Sequence, residues 1–266
     1  MQILGINSGW NAGQHVRIRV LSFGVGLFGW TEAHPFTIAN SGNSSTEGIT
    51  LICKNAGDWT SGLYKMASRD SKDQYHTAYV LIEGPYGGPG NTMFNSFSGA
   101  MLVLGGSGVT FGTSVLEDLV SKSLSGDSRV LCIHFIWVVQ HLSASTTFVP
   151  LFTELVRRAE RVPNLQLTIS VFYTRGSGEL FDLPPNLPSN IQVKNGRPNL
   201  GNELNQLISS TQSSIGASTS KGNGVILAAC GPKSLISSTL EAKAEIPNEI
   251  QKAVGGLELH TETFGW

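Results

Sequence analysis

Up to the turn-rich stretch Gly84-Pro85-Tyr86-Gly87-Gly88-Pro89-Gly90, apolar and polar residues alternate in short runs, clearest in His15-Val16-Arg17-Ile18-Arg19-Val20. Val16, Ile18 and Val20 fall on one face and the polar residues on the other, the period-two signature of a half-buried strand. Residues 49–54 and 78–83 read as further strands, separated by Gly, Ser and Asn clusters such as 40–48. Several short strands with this turn punctuation predict an antiparallel β-barrel.

Beyond that stretch the rhythm changes, and strands alternate with segments of helical length. Residues 101–104 form an apolar strand, 110–123 carry helical periodicity, and 130–139 form a strand. Residues 152–161 predict a helix with Arg157, Arg158 and Arg161 near its end, followed by a strand over 165–173. The Pro- and Asn-rich stretch 181–197 reads as a long loop, 203–209 as a helix, and the low-complexity 209–224 as a flexible connection. A strand over 225–229, a helix over 233–244 and a strand over 257–260 complete the pattern. Such alternation predicts an α/β domain with a parallel sheet and helices on both faces. The domain boundary falls near Phe97, giving a β-barrel over 1–96 and an α/β domain over 97–266.

Composition narrows the function classes. A chain of 266 residues supports two domains, and 40% apolar with 14% charged residues argues against charge-driven disorder. With 18 Lys and Arg against 19 Asp and Glu there is no basic field to gather nucleic acid, so any anion site is local. Cys53, Cys132 and Cys230 are far apart and form no C-x-x-C pair, which excludes a disulfide frame or thiolate zinc site and fits a reducing compartment. The longest apolar run, 130–139, is interrupted by His134 and far short of the ~20 residues of a membrane helix. No secretory signal opens the chain, and the polypeptide is expected to be soluble.

The strongest local signal is Leu102-Val103-Leu104-Gly105-Gly106-Ser107-Gly108-Val109-Thr110-Phe111-Gly112, where an apolar strand runs through glycines into a helix. Gly106 and Gly108 let the backbone approach a diphosphate, and the helix start offers N–H groups and a positive dipole end. The alternative is a tight strand-to-helix turn with no ligand. A serine nucleophile elbow is disfavoured, because Val109 stands where its second glycine belongs. After the second strand, where a carboxylate would clamp the ribose of NAD, Gln140 and His141 appear instead. That favours a phosphorylated ribose, with Arg175 and Arg197 as cationic candidates or as ordinary surface arginines. Two further islands are His34-Pro35-Phe36-Thr37, a strand entry fixed by proline, and Ala229-Cys230-Gly231-Pro232, a strand end passing into a helix.

These islands occur in a definite order with Trp10-Asn11-Ala12-Gly13-Gln14-His15, Gly57-Asp58-Trp59-Thr60, Glu83-Gly84-Pro85-Tyr86-Gly87, Gly196-Arg197-Pro198-Asn199 and the terminal aromatic Phe264. In that order they resemble the cytoplasmic dehydrogenase region of the ferric reductase and NADPH oxidase family. The resemblance implies a ferredoxin reductase-like pair of domains, an FAD-binding β-barrel and an NADPH-binding α/β domain. It assigns His34, Pro35, Phe36 and Thr37 to the flavin, with the Thr37 hydroxyl near the isoalloxazine, and Lys54, Gly57 and Thr60 to the FAD side. Gly105, Gly106, Ser107, Gly108, Val109 and Thr110 would hold the NADPH diphosphate, and Arg197 the adenosine side. Cys230, with Gly231 and Pro232, would sit beside the nicotinamide, and Phe264, or Trp266 as second choice, would stack on the isoalloxazine. No resident metal is implied.

The resemblance also implies a haem-bearing transmembrane domain and a first barrel strand upstream, and a place on the cytoplasmic face of a membrane, the plasma membrane first. The form Gly-Gly-Ser-Gly-Val-Thr-Phe is closer to fungal ferric reductases than to superoxide-producing oxidases, which tend towards Gly-Ile-Gly-Val-Thr-Pro. The implied activity is therefore metalloreductase. A superoxide-generating oxidase and an inactive nucleotide-binding module are the alternatives.

Overall fold

The structure is a computed structural model and describes residues 1–42, 47–68, 76–175, 187–216 and 222–263. The chain divides into two compact units, Met1–Gly88 and Pro89–Trp266. Residues 89–96, which the sequence pattern places with the barrel, belong to the second unit. Asn95 holds them there: its side chain donates to Asp127 O at 2.8 Å and its carbonyl accepts from Arg129 N–H at 2.9 Å.

The first unit contains β1 (Gln2–Ile3), β2 (His15–Val20), β3 (His34–Thr37), β4 (Ile49–Thr50), helix α1 (Asp58–Ala67) and β5 (Val80–Tyr86). All pairing is antiparallel: β3, β2 and β5 form one sheet in that order, and β1 pairs with β4. An isolated bridge between Ile38 and Leu51 links β3 to β4. Both sheets share one core, in which Val16, Ile18 and Val20 from the alternating strand meet Ile3, Trp10, Ile38, Leu51 and Trp59. The 49–54 run shortens to β4 and the Leu51 bridge, whereas the 78–83 run extends to Tyr86. Helix α1 is absent from the sequence pattern because its Gly62 is a poor helix former. The glycine has a packing reason: a Cβ there would lie 2.8 Å from Gly24 O and 2.9 Å from Val25 Cα.

The second unit contains β6 (Gly99–Gly105), α2 (Val109–Leu124), β7 (Cys132–Val139), α3 (Val149–Ala159), β8 (Gln166–Tyr173), β9 (Ile191–Asn195), α4 (Leu200–Gly216), β10 (Val225–Cys230), α5 (Lys233–Ala244), α6 (Asn248–Val254) and β11 (Leu257–Glu262). Its six strands are all parallel, in the order β11-β10-β6-β7-β8-β9. Met101, Val103, Ile136, Leu227 and Ala229 pack on one face against Leu204, Leu207 and Ile208 of α4 and Ala242 of α5. The other face carries α2 and α3, where Phe135 meets Phe152 edge-on at 5.2 Å. Each fully buried large side chain of this kind contributes about 1.5–3 kcal/mol. Antiparallel sheets followed by a helix-covered parallel sheet form the ferredoxin reductase-like architecture that the sequence predicts.

Two segments differ from expectation. The 181–197 stretch is not all loop, since β9 lies within it as the edge strand on β8, with Ile191 buried. The 209–224 stretch is helical as far as Gly216 because its hydroxyls bond within the helix. Ser209, Thr211 and Ser213 donate to the carbonyls of Asn205, Leu207 and Ser209, at 2.9, 2.8 and 3.0 Å, so polar side chains are satisfied without leaving the helix.

Candidate functional site

In the second unit the end of β6 passes through Gly105 into a short turn, Gly106–Gly108, and then into α2. Gly106 adopts φ +54°, the left-handed region that favours glycine, and a Cβ there would meet nothing within 4 Å. Trp137 of β7 steadies the turn, its Nε1–H donating to Gly106 O at 2.9 Å. Thr110 Oγ1 donates to Ser107 O at 3.0 Å. No side chain caps α2 at Gly108, and its first turn carries no acidic residue. The Val109 N–H bonds to the carbonyls of Gly106 and Ser107, so an anion approaching over the exposed Gly106 and Ser107 meets the turn's backbone and the positive end of the helix dipole. These residues fit a dinucleotide diphosphate.

The same turn lies against the end of β10. A Cβ on Gly108 would stand 2.3 Å from Cys230 O and 3.1 Å from its Sγ, and one on Gly105 would stand 2.6 Å from Pro232 Cδ. The structure thus brings Gly105, Gly106, Ser107, Gly108, Val109 and Thr110 together with Cys230, Gly231 and Pro232. Cys230 is fully buried, and burial together with the Glu262 carboxylate pushes its thiol up to about 12. The group is a neutral thiol at physiological pH, unsuited to nucleophilic attack.

Arg175 and Arg197 follow β8 and β9 at the same carboxyl edge. The Arg175 N–H donates to Gln140 O at 2.8 Å, and Gly196 N–H to Tyr173 O at 2.9 Å, which fixes both exits. Both arginines are exposed. The strand order sets the sequence of groups along the edge: Cys230 on β10, the glycine turn on β6, Gln140 and His141 after β7, Arg175 after β8, Arg197 after β9. At about 4.8 Å per strand, β9 lies about 14 Å from β6.

In the first unit β3 presents His34, Pro35 and Phe36 partly exposed and Thr37 buried. Trp59, in the first turn of α1, draws β3 and the helix start together. Its ring lies 4.3 Å from that of His34 and 6.0 Å from that of Phe36, and its Nε1–H donates to Gly29 O at 2.9 Å. His34 Nε2 also meets Glu32 Oε2 at 2.9 Å. Thr60 reaches back over the helix start, its hydroxyl accepting from the N–H groups of Ala56 and Gly57 and donating to Gly57 O, each at 3.0 Å. Gly57 is exposed, with nothing within 4 Å of a Cβ built on it, and Lys54 is exposed on the connection into α1. Open space, a lysine and a helix start suit a phosphate, while Asp58 in that first turn opposes a second negative charge. Phe264 and Trp266 lie outside the described residues.

Sequence reasoning assigned no role to Trp59, Trp137, His260 or Glu262. The signal for the two tryptophans was their indole N–H, which needs a partner when buried. For His260 and Glu262 it was the strand alternation, which places them on one face.

A separate polar cavity of about 90 Å³ lies beneath α4. There His134 Nε2 sits 3.2 Å from Ser170 Oγ and 3.4 Å from Glu203 Oε2, and Lys194 Nζ sits 3.6 Å from Glu203 Oε1 and 5.4 Å above the Phe172 ring. Burial holds the His134 imidazole below its usual range, Glu203 opposes this and Lys194 adds to it. His134 lies near the amino end of β7, on the face that α4 covers. The glycine turn and Cys230 are at the carboxyl ends of their strands, where open parallel sheets bind ligands. The cavity holds the Lys194–Glu203 ion pair, with Glu203 Oε2 buried and without a hydrogen-bond partner among the described residues, and it lies away from the carboxyl edge, which is the candidate site.

Comparison with known proteins agrees with this division. Residues 6–90 match the model of an FAD-binding domain, and residues 97–183 match that of the ferric reductase NAD binding domain. Dual oxidase 1 of Homo sapiens is 33% identical over 179 residues, covering 65% of this chain and 11% of that protein. Probable ferric reduction oxidase 1 of Arabidopsis thaliana is 37% identical over 97 residues, covering 36% of this chain and 14% of that protein. The chain thus spans a small part of the length of these relatives. Among solved structures, a ferredoxin NADP+ reductase from Neisseria gonorrhoeae, with bound FAD and NADP, aligns with TM-score 0.54 and 13% identity over 97% of this chain and 89% of that one. The flavohem-like FAD/NAD binding domain of nitric oxide dioxygenase from Vibrio cholerae aligns with TM-score 0.56 and 13% identity over 100% and 88%. These two likenesses concern the fold.

Proposed function

From the membership of this chain in the ferric reductase and NADPH oxidase family, whose FAD-binding and NAD(P)-binding domains it carries, we propose that it catalyses hydride transfer from NADPH to FAD. In the intact protein single electrons then pass onward, through a haem-bearing membrane domain, to ferric or cupric ions. FAD, when bound, supplies the conversion of a two-electron donation into single-electron steps. The chain's own residues bind, orient and exclude.

The observation that carries this reading is the order of groups along the carboxyl edge. A dinucleotide laid across it with its diphosphate on the Gly106–Gly108 turn has one end beside Cys230 on the adjacent strand. Its other end extends past β7 towards Arg175 and Arg197. The two arginines take the phosphorylated ribose and the adenosine side, and Gln140 and His141, in place of a carboxylate, leave room for that charge. Cys230 offers the nicotinamide a small uncharged wall, and Gly231 beside it adds no side chain. In the first unit, the ring group of His34 and Phe36 on Trp59 shapes a surface for the flavin, with the Thr37 hydroxyl at its edge. Lys54 and the Gly57 helix start take the FAD diphosphate, where a charge-assisted contact is worth roughly 1.5–3 kcal/mol. Phe264 is assigned the terminal stacking role on the family pattern alone.

Purified chain supplied with FAD and NADPH is expected to reduce ferricyanide. A folded sample that neither binds flavin nor reduces the acceptor would overturn the reading in favour of an inactive nucleotide-binding module. The Arg175→Ala, Arg197→Ala double variant is expected to weaken NADPH about tenfold or more and NADH by clearly less, since NADH keeps the adenosine but lacks the phosphate. A superoxide-generating oxidase is the second reading, supported by the match of 179 residues to dual oxidase 1. Membranes holding the whole protein separate the two: ferric-chelate reduction that persists with superoxide dismutase marks a metalloreductase, and abolition marks an oxidase. Among the described residues no helix is long and apolar enough to cross a membrane. On this reading the region lies on the cytoplasmic face, joined to its membrane domain.

A further inference from the structure

We infer that His260 is a positioning residue for hydride transfer: it holds the Glu262 carboxylate beside Cys230, where that charge favours the oxidised nicotinamide. The inference rests on the reading that places the nicotinamide at Cys230. Its geometry lies wholly within the second unit.

Strands β10 and β11 are parallel, with Ala228 opposite His260 and Cys230 opposite Glu262. Alternation puts Glu258, His260 and Glu262 on one face of β11. Leu257 and Leu259 go to the opposite face, in or against the core that holds α4 and α5. His260 Nε2 lies 3.2 Å from Glu262 Oε1, and because a carboxylate can only accept, the imidazole is the donor. The ring has little freedom. It stacks on Phe111 of α2 at 6.0 Å and 16°, and meets Phe94 edge-on at 5.8 Å and 85°. Phe111 is itself fully buried, so the donor nitrogen is aimed by packed core. Glu262 is thereby fixed with its side chain 22% exposed, partly withdrawn from water. The thiol of Cys230 senses it, since the Glu262 carboxylate adds to burial in keeping that thiol protonated.

A fixed carboxylate at this place has a chemical consequence. In the proposed reaction a C–H bond of the dihydronicotinamide breaks with its electron pair. The hydride, a proton with two electrons, goes to the flavin, which is reduced, and the ring left behind gains one positive charge. A carboxylate that is already oriented stabilises that charge as it develops, without reorganisation. It also favours the cationic product over the neutral reactant at equilibrium.

The test uses FAD-loaded protein and three variants. His260→Phe keeps the ring against Phe111 and removes the donor, His260→Gln returns a donor, and Glu262→Gln removes the charge. Titration with NADP+ and NADPH is expected to show His260→Phe and Glu262→Gln each weakening NADP+ on the order of tenfold and NADPH less than about twofold. Flavin reduction in a single turnover at saturating NADPH slows by about the same factor. The double variant is no worse than Glu262→Gln alone, and His260→Gln recovers at least half of the loss. In imidazole 15N spectra the Nε2 signal of His260 should shift in Glu262→Gln, which reports the contact even if His260→Phe fails to fold. An unshifted signal, an unchanged ratio of NADP+ to NADPH affinity in His260→Phe, or additive losses in the double variant would overturn the inference. Wild-type protein that binds neither nucleotide would overturn the functional reading and this inference with it, and is recognised before any variant is made.

Discussion

The two proposed binding regions are made of different materials. At β3 and the start of α1, contacts run between side chains: the His34 and Phe36 rings lean on Trp59, and the Thr60 hydroxyl reaches back to the backbone. At the end of β6, contacts run between backbones: Gly106 turns left-handed, and Gly108 lies so close to Cys230 that there is no room for a Cβ. Side-chain construction tolerates replacement by other shapes, while backbone construction tolerates hydrogen only. The flavin region should thus fail gradually and the nucleotide region abruptly.

The largest expected effect tests the first half of this contrast. Trp59→Ala removes a buried indole that joins strand to helix and should destabilise the first unit by about 3–5 kcal/mol, read by urea unfolding, with loss of retained FAD. Trp59→Phe should restore most of both, and if it does not, the region is less tolerant than described. Next comes Gly108→Ala, whose methyl group would meet Cys230 O at 2.3 Å. We expect about 1–3 kcal/mol of destabilisation and loss of NADPH binding, with FAD content unchanged, because overpacking against backbone cannot be relieved by a rotamer. A Gly108→Ala protein that binds NADPH normally would break the comparison. Smaller is Cys230→Ala, which keeps the volume low and should slow flavin reduction several-fold while leaving FAD affinity alone. The reverse pattern would remove Cys230 from the nicotinamide site.

The smallest effect concerns the ionic cluster under α4, where neither kind of binding is proposed. Burial lowers the folded-state pKa of His134 below its unfolded value of about 6.5. As pH falls, the unfolded chain takes up the proton first, so stability is lost from about pH 6.5 downward and is fully present above it. Denaturation midpoints at pH 5 and 7.5 should therefore differ more in wild type than in His134→Gln. Equal differences would show that His134 does not contribute.

Much of the second unit was legible because backbone periodicity is a local property. The strand, glycine turn and helix at 99–124 follow from an apolar run, glycines and a 3.6-residue repeat, and α5 follows from Pro232 and its repeat. The serine-rich end of α4 was misread because composition suggests a linker, whereas helix hydroxyls bonding to carbonyls four residues back need no solvent. Helix α1 was hidden by Gly62, whose value lies in contact with Gly24 and Val25, forty residues earlier to within a few. Site legibility was uneven for the same reason. The glycine turn announced itself locally, but that Trp59 would carry His34, or that Glu262 would face Cys230, depends on strand pairing that no short window contains. The terminal aromatics stand out by residue type, while the nearby pair His260 and Glu262 shows only ordinary strand alternation.

The contact of Gly108 with Cys230 also bears on how such a site can change over generations. The surface proposed to receive phosphates and the residue beside the proposed hydride donor share one backbone junction, so neither can drift without displacing the other. A variant lineage seeking weaker or stronger hold on its nucleotide has little to gain from the turn itself. Its accessible steps lie at Arg175 and Arg197, three strands wide of the junction at most, where exposed side chains can be exchanged singly. With the proposed roles, cofactor preference is free to evolve while the geometry of the reacting end stays locked.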